Sequence, residues 1–182
     1  MTGLLDLYDR LARFADRQTD WLLPTAARLV FAAVLLAYFW TSAGTKLDGL
    51  FTPSLGAYAQ IFPKAFEAAG YDVGAVSLWQ TLVALAGAWA EYALPLLIVL
   101  GLFTRLAAIG MVGFVLVQSL TDIRGHGAGP ETVGAWFDAA SDALILDQRA
   151  FWMLLFLVLI LKGAGPISAD RFLGLAKPRH SA

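Results

Sequence analysis

The chain has no cysteine, which excludes disulfides, thiolate nucleophiles, cysteine-ligated zinc and iron–sulfur clusters. Any redox centre must therefore be borrowed from outside the polypeptide. Histidine is nearly as scarce. His126, in the stretch Arg124-Gly125-His126-Gly127, and His180 near the end both lie outside the apolar runs, so no histidine pair can clamp a haem within a helical bundle. A metal site at Asp122 and His126 would have to recruit further ligands from Glu131, Asp138 or Asp142, and no metal is expected. Excess charge of one sign is missing too: 13 Lys+Arg against 14 Asp+Glu leave a net charge of -1, with nothing to recruit nucleic acid. There is no phosphate-cradling glycine loop, nucleophile elbow or dinucleotide fingerprint.

Apolar residues, by contrast, make up 59% of the 182 positions, and mean hydropathy is +0.68. Soluble domains carry less. A hydrocarbon core about 30 Å thick is crossed by about 20 mainly apolar helical residues. Four runs qualify: Pro24 to Lys46, Val76 to Leu102, Arg105 to Thr121 and Ala143 to Lys162. The fourth is interrupted by Asp147 and Arg149, which should sit at the membrane interface. The expected fold is all-α, a four-transmembrane-helix bundle, with residues 24–170 as the membrane domain and 171–182 as a tail.

Residues 1–23 do not read as a secretory signal, because Asp6, Asp9 and Asp16 intrude. Leu4, Leu7, Leu11 and Phe14 recur at helical spacing against Asp9, Arg10, Arg13, Asp16 and Arg17, the pattern of an amphipathic interfacial helix. Lys and Arg bias then orients the bundle. Placing both termini in the cytoplasm collects Arg10, Arg13, Arg17, Arg28, Arg105, Lys162, Arg171, Lys177 and Arg179 on that side, against Lys46, Lys64, Arg124 and Arg149 outside. The connections Leu47 to Ala75 and Asp122 to Asp142 would face the exterior as turn-rich loops.

Polar residues inside apolar spans mark candidate sites. Glu91 lies about 13 Å from the cytoplasmic end of span two, too deep to reach water, and shares a helical face with Ala84, Gly87 and Ala88. It needs a partner or a proton. Arg28, one turn inside span one, is the expected counter-charge, either as a packing salt bridge or as a ligand-polarising or proton-handling site; Arg105 completes this intramembrane polar group. Arg28 and Lys46 are five turns apart on one face, and Lys46 is expected to meet Asp122 in an outer cluster with Gln118, Asp147 and Arg149. Phe39, Trp40 and Trp89 are aromatic enough to line a ring-shaped ligand beside Arg28 and Glu91.

The stretch from Arg28 through Ser42-Ala43-Gly44-Thr45-Lys46, Glu91 followed by Leu100 to Ala108, and Lys162 to Asp170 together resemble the DoxX family of small four-span membrane proteins. The resemblance implies a multi-pass protein of a bacterial or archaeal cytoplasmic membrane, related to subunits named as thiosulfate:quinone oxidoreductase. Arg28, Lys46, Glu91, Arg105 and Asp170 match the family's polar positions. It also implies a scaffold or accessory subunit of a membrane redox or metal-handling system. The alternatives are a quinone-associated oxidoreductase subunit, with quinone as the borrowed cofactor, and an oligomeric pathway for protons or small solutes. The expected partners are the lipid bilayer and either another protein or a second copy of the chain.

Overall fold

The computed structural model describes residues 2–175, so Lys177, Arg179 and His180 lie outside the described residues. Four helices are long and apolar enough to cross a membrane, spanning Gly3–Gly44, Leu78–Leu100, Thr104–Gly125 and Leu144–Lys162. All four expected runs are there. The first is one continuous helix: α1 (Thr2–Phe31) passes through a π-helical turn, Ala32–Leu36, into α2 (Ala37–Gly44). The amphipathic start is thus an extension of span one, with Pro24 buried inside it and Leu4, Leu7, Leu11 and Phe14 exposed along its length.

Span two is α5 (Leu78–Leu100). It starts with a reciprocal cap, in which the Ser77 hydroxyl accepts from the Gln80 amide while the Gln80 side chain accepts from the Ser77 amide. Span three is α6 (Thr104–Leu120) with a π-helical extension, Thr121–Gly125, and span four is a π-helical turn, Leu144–Gln148, followed by α8 (Arg149–Lys162). Phe31, Phe39, Ile98, Met111, Val115, Phe156 and Leu159 form the main core where the four helices meet.

The connection between spans one and two is built, where the sequence reading expected loop. A two-stranded hairpin, β1 (Leu47–Gly49) and β2 (Thr52–Pro53), leads into α3 (Leu55–Ile61), capped by the Ser54 hydroxyl, and α4 (Pro63–Ala68), which has Pro63 in its first turn. These helices pack on the N-terminal half of α5 through a second core of Ala57, Tyr58, Phe66 and Ala84. The third connection holds one short helix, α7 (Pro130–Val133), and α9 (Ala169–Phe172) follows span four.

The turn between spans two and three is closed by long-range contacts. Gly101 ends α5 in the left-handed conformation at φ +69°, and Leu102 donates back to the Leu97 carbonyl. The Asp170 carboxylate accepts from the amides of Phe103 and Thr104 at 2.7 and 3.0 Å, capping α6 from 66 residues away. A Cβ on Gly101 would lie 2.6 Å from the Ser168 Cβ and 2.8 Å from the Arg28 Cζ. Gly101→Ala should therefore lower thermal stability in detergent beyond the about 1 kcal/mol of a left-handed alanine. Asp170→Ala should cost about 1–3 kcal/mol by orphaning two amides. Unchanged melting midpoints for both variants would contradict this closure.

Candidate functional site

Glu91 falls on the buried stripe of α5, in register with Ala84, Ala88, Pro95 and Ile98, so the carboxylate faces the bundle and not lipid. It is 2% exposed. Its partner is Lys46, not Arg28. Span one ends at Gly44 while α5 still has the thirteen residues Leu78–Ala90 to run, about 20 Å of helix, so Lys46 meets the middle of α5. The Lys46 ammonium, 6% exposed, donates to both Glu91 oxygens at 3.0 and 2.8 Å and to the Ser42 hydroxyl at 2.6 Å. Ser42 in turn donates to Glu91 at 3.2 Å. One turn of helix thus supplies both the cation and a second donor for the carboxylate.

Arg28 does other work. Its guanidinium donates to the carbonyls of Ile98 and Val99, which close α5, and to those of Ala164 and Ile167 beyond span four. Those acceptors include helix-end oxygens that lack an intrahelical donor. A planar fork with five N–H groups suits several diverging acceptors where an ammonium does not. Arg105 acts similarly, donating to the Ile160 carbonyl at 2.9 Å. The three residues expected as one intramembrane polar site are therefore separated: Glu91 lies with Lys46, while Arg28 and Arg105 bond carbonyls at helix ends.

The outer cluster is partly assembled. Arg149 is 2% exposed and donates to Asp122 at 2.6 Å and to the Ser119 hydroxyl at 2.8 Å, with its guanidinium 5.9 Å from the Trp152 ring centroid. Asp122 is consequently bound to Arg149 and not to Lys46. The interruption expected at the interface is a buried cation held by span three. Asp147 accepts from the Ala143 amide at 3.0 Å, tying down the start of span four. Gln118 donates to the Tyr38 hydroxyl at 3.0 Å, and its amide oxygen is buried without a partner among the described residues.

Ser42, Lys46, Glu91, Gln118 and Asp122 share one cavity. A cleft of about 450 Å³ lies between α5 and α6, with Lys46 and Glu91 on one wall and Gln118, Asp122 and His126 toward the other. Its size falls within the range of small-molecule sites. Gly110 and Gly113 on α6 and Gly87 on α5 provide the room, and Ala86, Gly113 and Val117 at its edge are exposed. A Cβ on Gly110 would approach Leu94 to 2.9 Å, whereas one on Gly113 would meet nothing within 4 Å. His126 bonds the Gln60 carbonyl at 2.9 Å, and no group of three metal-capable side chains gathers among the described residues.

The expected aromatic lining divides. Phe39 is wholly buried in the core, against Phe31, Tyr38, Phe114 and Trp152. Trp40 and Trp89 flank Tyr92 on a separate shelf beside the hairpin, and their indole N–H groups donate to the carbonyls of Tyr92 and Leu50. The sequence reading missed Tyr38, Gln60 and Ser119 as polar neighbours of the site. Tyr38 and Ser119 offer only a hydroxyl inside an apolar span, and Gln60 only an amide in a connection whose glycines and prolines signal turns.

Comparison with known proteins agrees with this architecture. No curated protein and no solved structure matches the chain. The sequence model of the DoxX family matches residues 23–121, more than half of the chain, covering span one from Leu23 onward, the hairpin with α3 and α4, span two, and span three up to Thr121. The Lys46–Glu91 pair and nearly all of the cleft wall fall inside that match. This four-span, membrane-type helical protein therefore belongs to the DoxX family.

Proposed function

We propose that the α5–α6 cleft receives a lipophilic molecule with a hydrogen-bonding ring, of the quinone class, and that the protein serves a membrane redox system as an accessory subunit through it. One observation carries this reading: a mostly apolar cleft of about 450 Å³ with Gln118, Asp122 and His126 across from Lys46 and Glu91, where the Gln118 amide oxygen lacks a partner among the described residues. Buried polar groups are almost always bonded, and an orphan beside a cavity points to a bonding partner supplied from outside. The Lys46–Glu91–Ser42 triangle is bonded internally. Its part is to hold the wall and set the field at the polar end of the cleft, while Gln118, Asp122 and His126 face the ligand. Exposed Ala86, Gly113 and Val117 give entry sideways from the hydrocarbon, the route a membrane-dissolved molecule takes.

With no thiol, no haem clamp and no metal cluster among the described residues, the chain itself supplies binding and orientation, and electrons pass to or from a partner. The basic bias of the Gly101 end supports a cytoplasmic location for that end in a bacterial or archaeal inner membrane. A scaffold role without a ligand is the second reading. It is supported by the exposed apolar face of Leu4, Leu7, Leu11 and Phe14, which fits a bilayer surface or a partner helix.

Purified protein in lipid nanodiscs, titrated with a short-chain benzoquinone, should show saturable quenching of tryptophan fluorescence. Gly113→Leu, at a position where a Cβ meets nothing within 4 Å, extends a side chain into the cleft mouth and should weaken binding at least about tenfold, equivalent to about 1.4 kcal/mol. Gln118→Leu should weaken it as well, with the melting midpoint of Gly113→Leu kept at or above that of the parent. Quenching that never saturates, or that is indifferent to the Gly113 plug, removes the quinone reading.

A further inference from the structure

At the opposite end of the bundle from the hairpin, a groove of about 580 Å³ forms where span one, the α5–α6 turn and the segment after span four meet. Arg105, Lys162 and Arg171 converge on it, and Arg28 lies behind it on the carbonyls of Ala164 and Ile167. Both of its carboxylates are engaged. Asp20 pairs with Lys162 at 2.9 Å, and Asp170 accepts the Phe103 and Thr104 amides. Arg105 spends one N–H on the Ile160 carbonyl, and the Arg171 side chain donates to no group among the described residues. Two guanidinium groups with unused donors therefore share one groove, beyond what its acids consume.

Apart from Thr104, the rest of the lining carries no polar side chain and sits where the spans begin and end. Phe103 and Leu106 are exposed, Trp21 is exposed on span one, and Ile109 and Leu116 continue an exposed apolar track down α6 from Leu106. Tryptophan at such a level matches the headgroup region, and a cation pocket above a greasy helix face matches a charged headgroup with its acyl chain. We infer that this groove binds an anionic phospholipid, its phosphate held between Arg105 and Arg171 and one chain lying along Leu106 and Ile109. A free phosphate would use the guanidinium groups but not the apolar track.

The test is native mass spectrometry of the detergent-purified chain offered phosphatidylglycerol or phosphatidylcholine in equal amounts, with inorganic phosphate as competitor. The protein should retain phosphatidylglycerol in preference, and millimolar phosphate should not displace it. Arg171→Gln, which breaks no bond within the described chain, should cut retention several-fold, and Arg105→Gln with Arg171→Gln at least about tenfold. Equal retention of the two lipids, retention unaffected by Arg171→Gln, or displacement by phosphate alone would each overturn the lipid assignment. Quinone binding at the distant cleft should be unchanged in Arg171→Gln.

Discussion

An ammonium and a carboxylate with almost no access to water, placed midway along a membrane-spanning helix, constrain everything around them. Moving either ion alone into a low-dielectric interior costs several kcal/mol, so Lys46 and Glu91 must stay together and must have their remaining donors and acceptors met. Ser42 does the latter, one helical turn before the lysine. The contact fixes the end of span one against the middle of α5, which leaves the N-terminal half of α5 without span one beside it. The hairpin, α3 and α4 cover that half, and the cleft between α5 and α6 opens beneath them.

The other charges divide by what they satisfy. Arg28, Arg105 and Asp170 meet backbone groups that helix ends leave orphaned, and they gather at the Gly101 end, where span two turns into span three and span four gives way to α9. Arg149 and Asp122 pair side chain to side chain and join span four to span three at the other end. Staples thus sit at both ends, with the Lys46–Glu91 pair between span one and α5. Glycines line the space between α5 and α6: Gly110 lets Leu94 pack close, and the missing side chain of Gly113 leaves the cleft open.

Much of this was legible in the sequence. The four spans follow from the length that hydrocarbon imposes, and the inward direction of Glu91 follows from its place on a face with Ala84 and Ala88. The partner did not follow. Sequence spacing gives position along a helix but not where one helix stops against another: it puts Lys46 level with Asp122, whereas span one stops at Gly44 and Lys46 meets Glu91. The acceptors of Arg28 are backbone carbonyls distant in sequence, which no residue pattern displays, so its charge alone suggests a carboxylate partner. In Leu47 to Ala75 the glycines and prolines signal turns, but Pro63 starts α4 and Ser54 caps α3, so the same stretch also serves helix starts.

The most direct measurement is a double-mutant cycle on the buried pair, read by thermal unfolding in detergent for Lys46→Met, Glu91→Leu and the two combined. Each single change strands an ion and should destabilise by about 3–5 kcal/mol, while the double variant should recover most of that loss. Additive effects, or single variants as stable as the parent, would mean that Lys46 and Glu91 are not each other's partners and that span one does not end against the centre of α5.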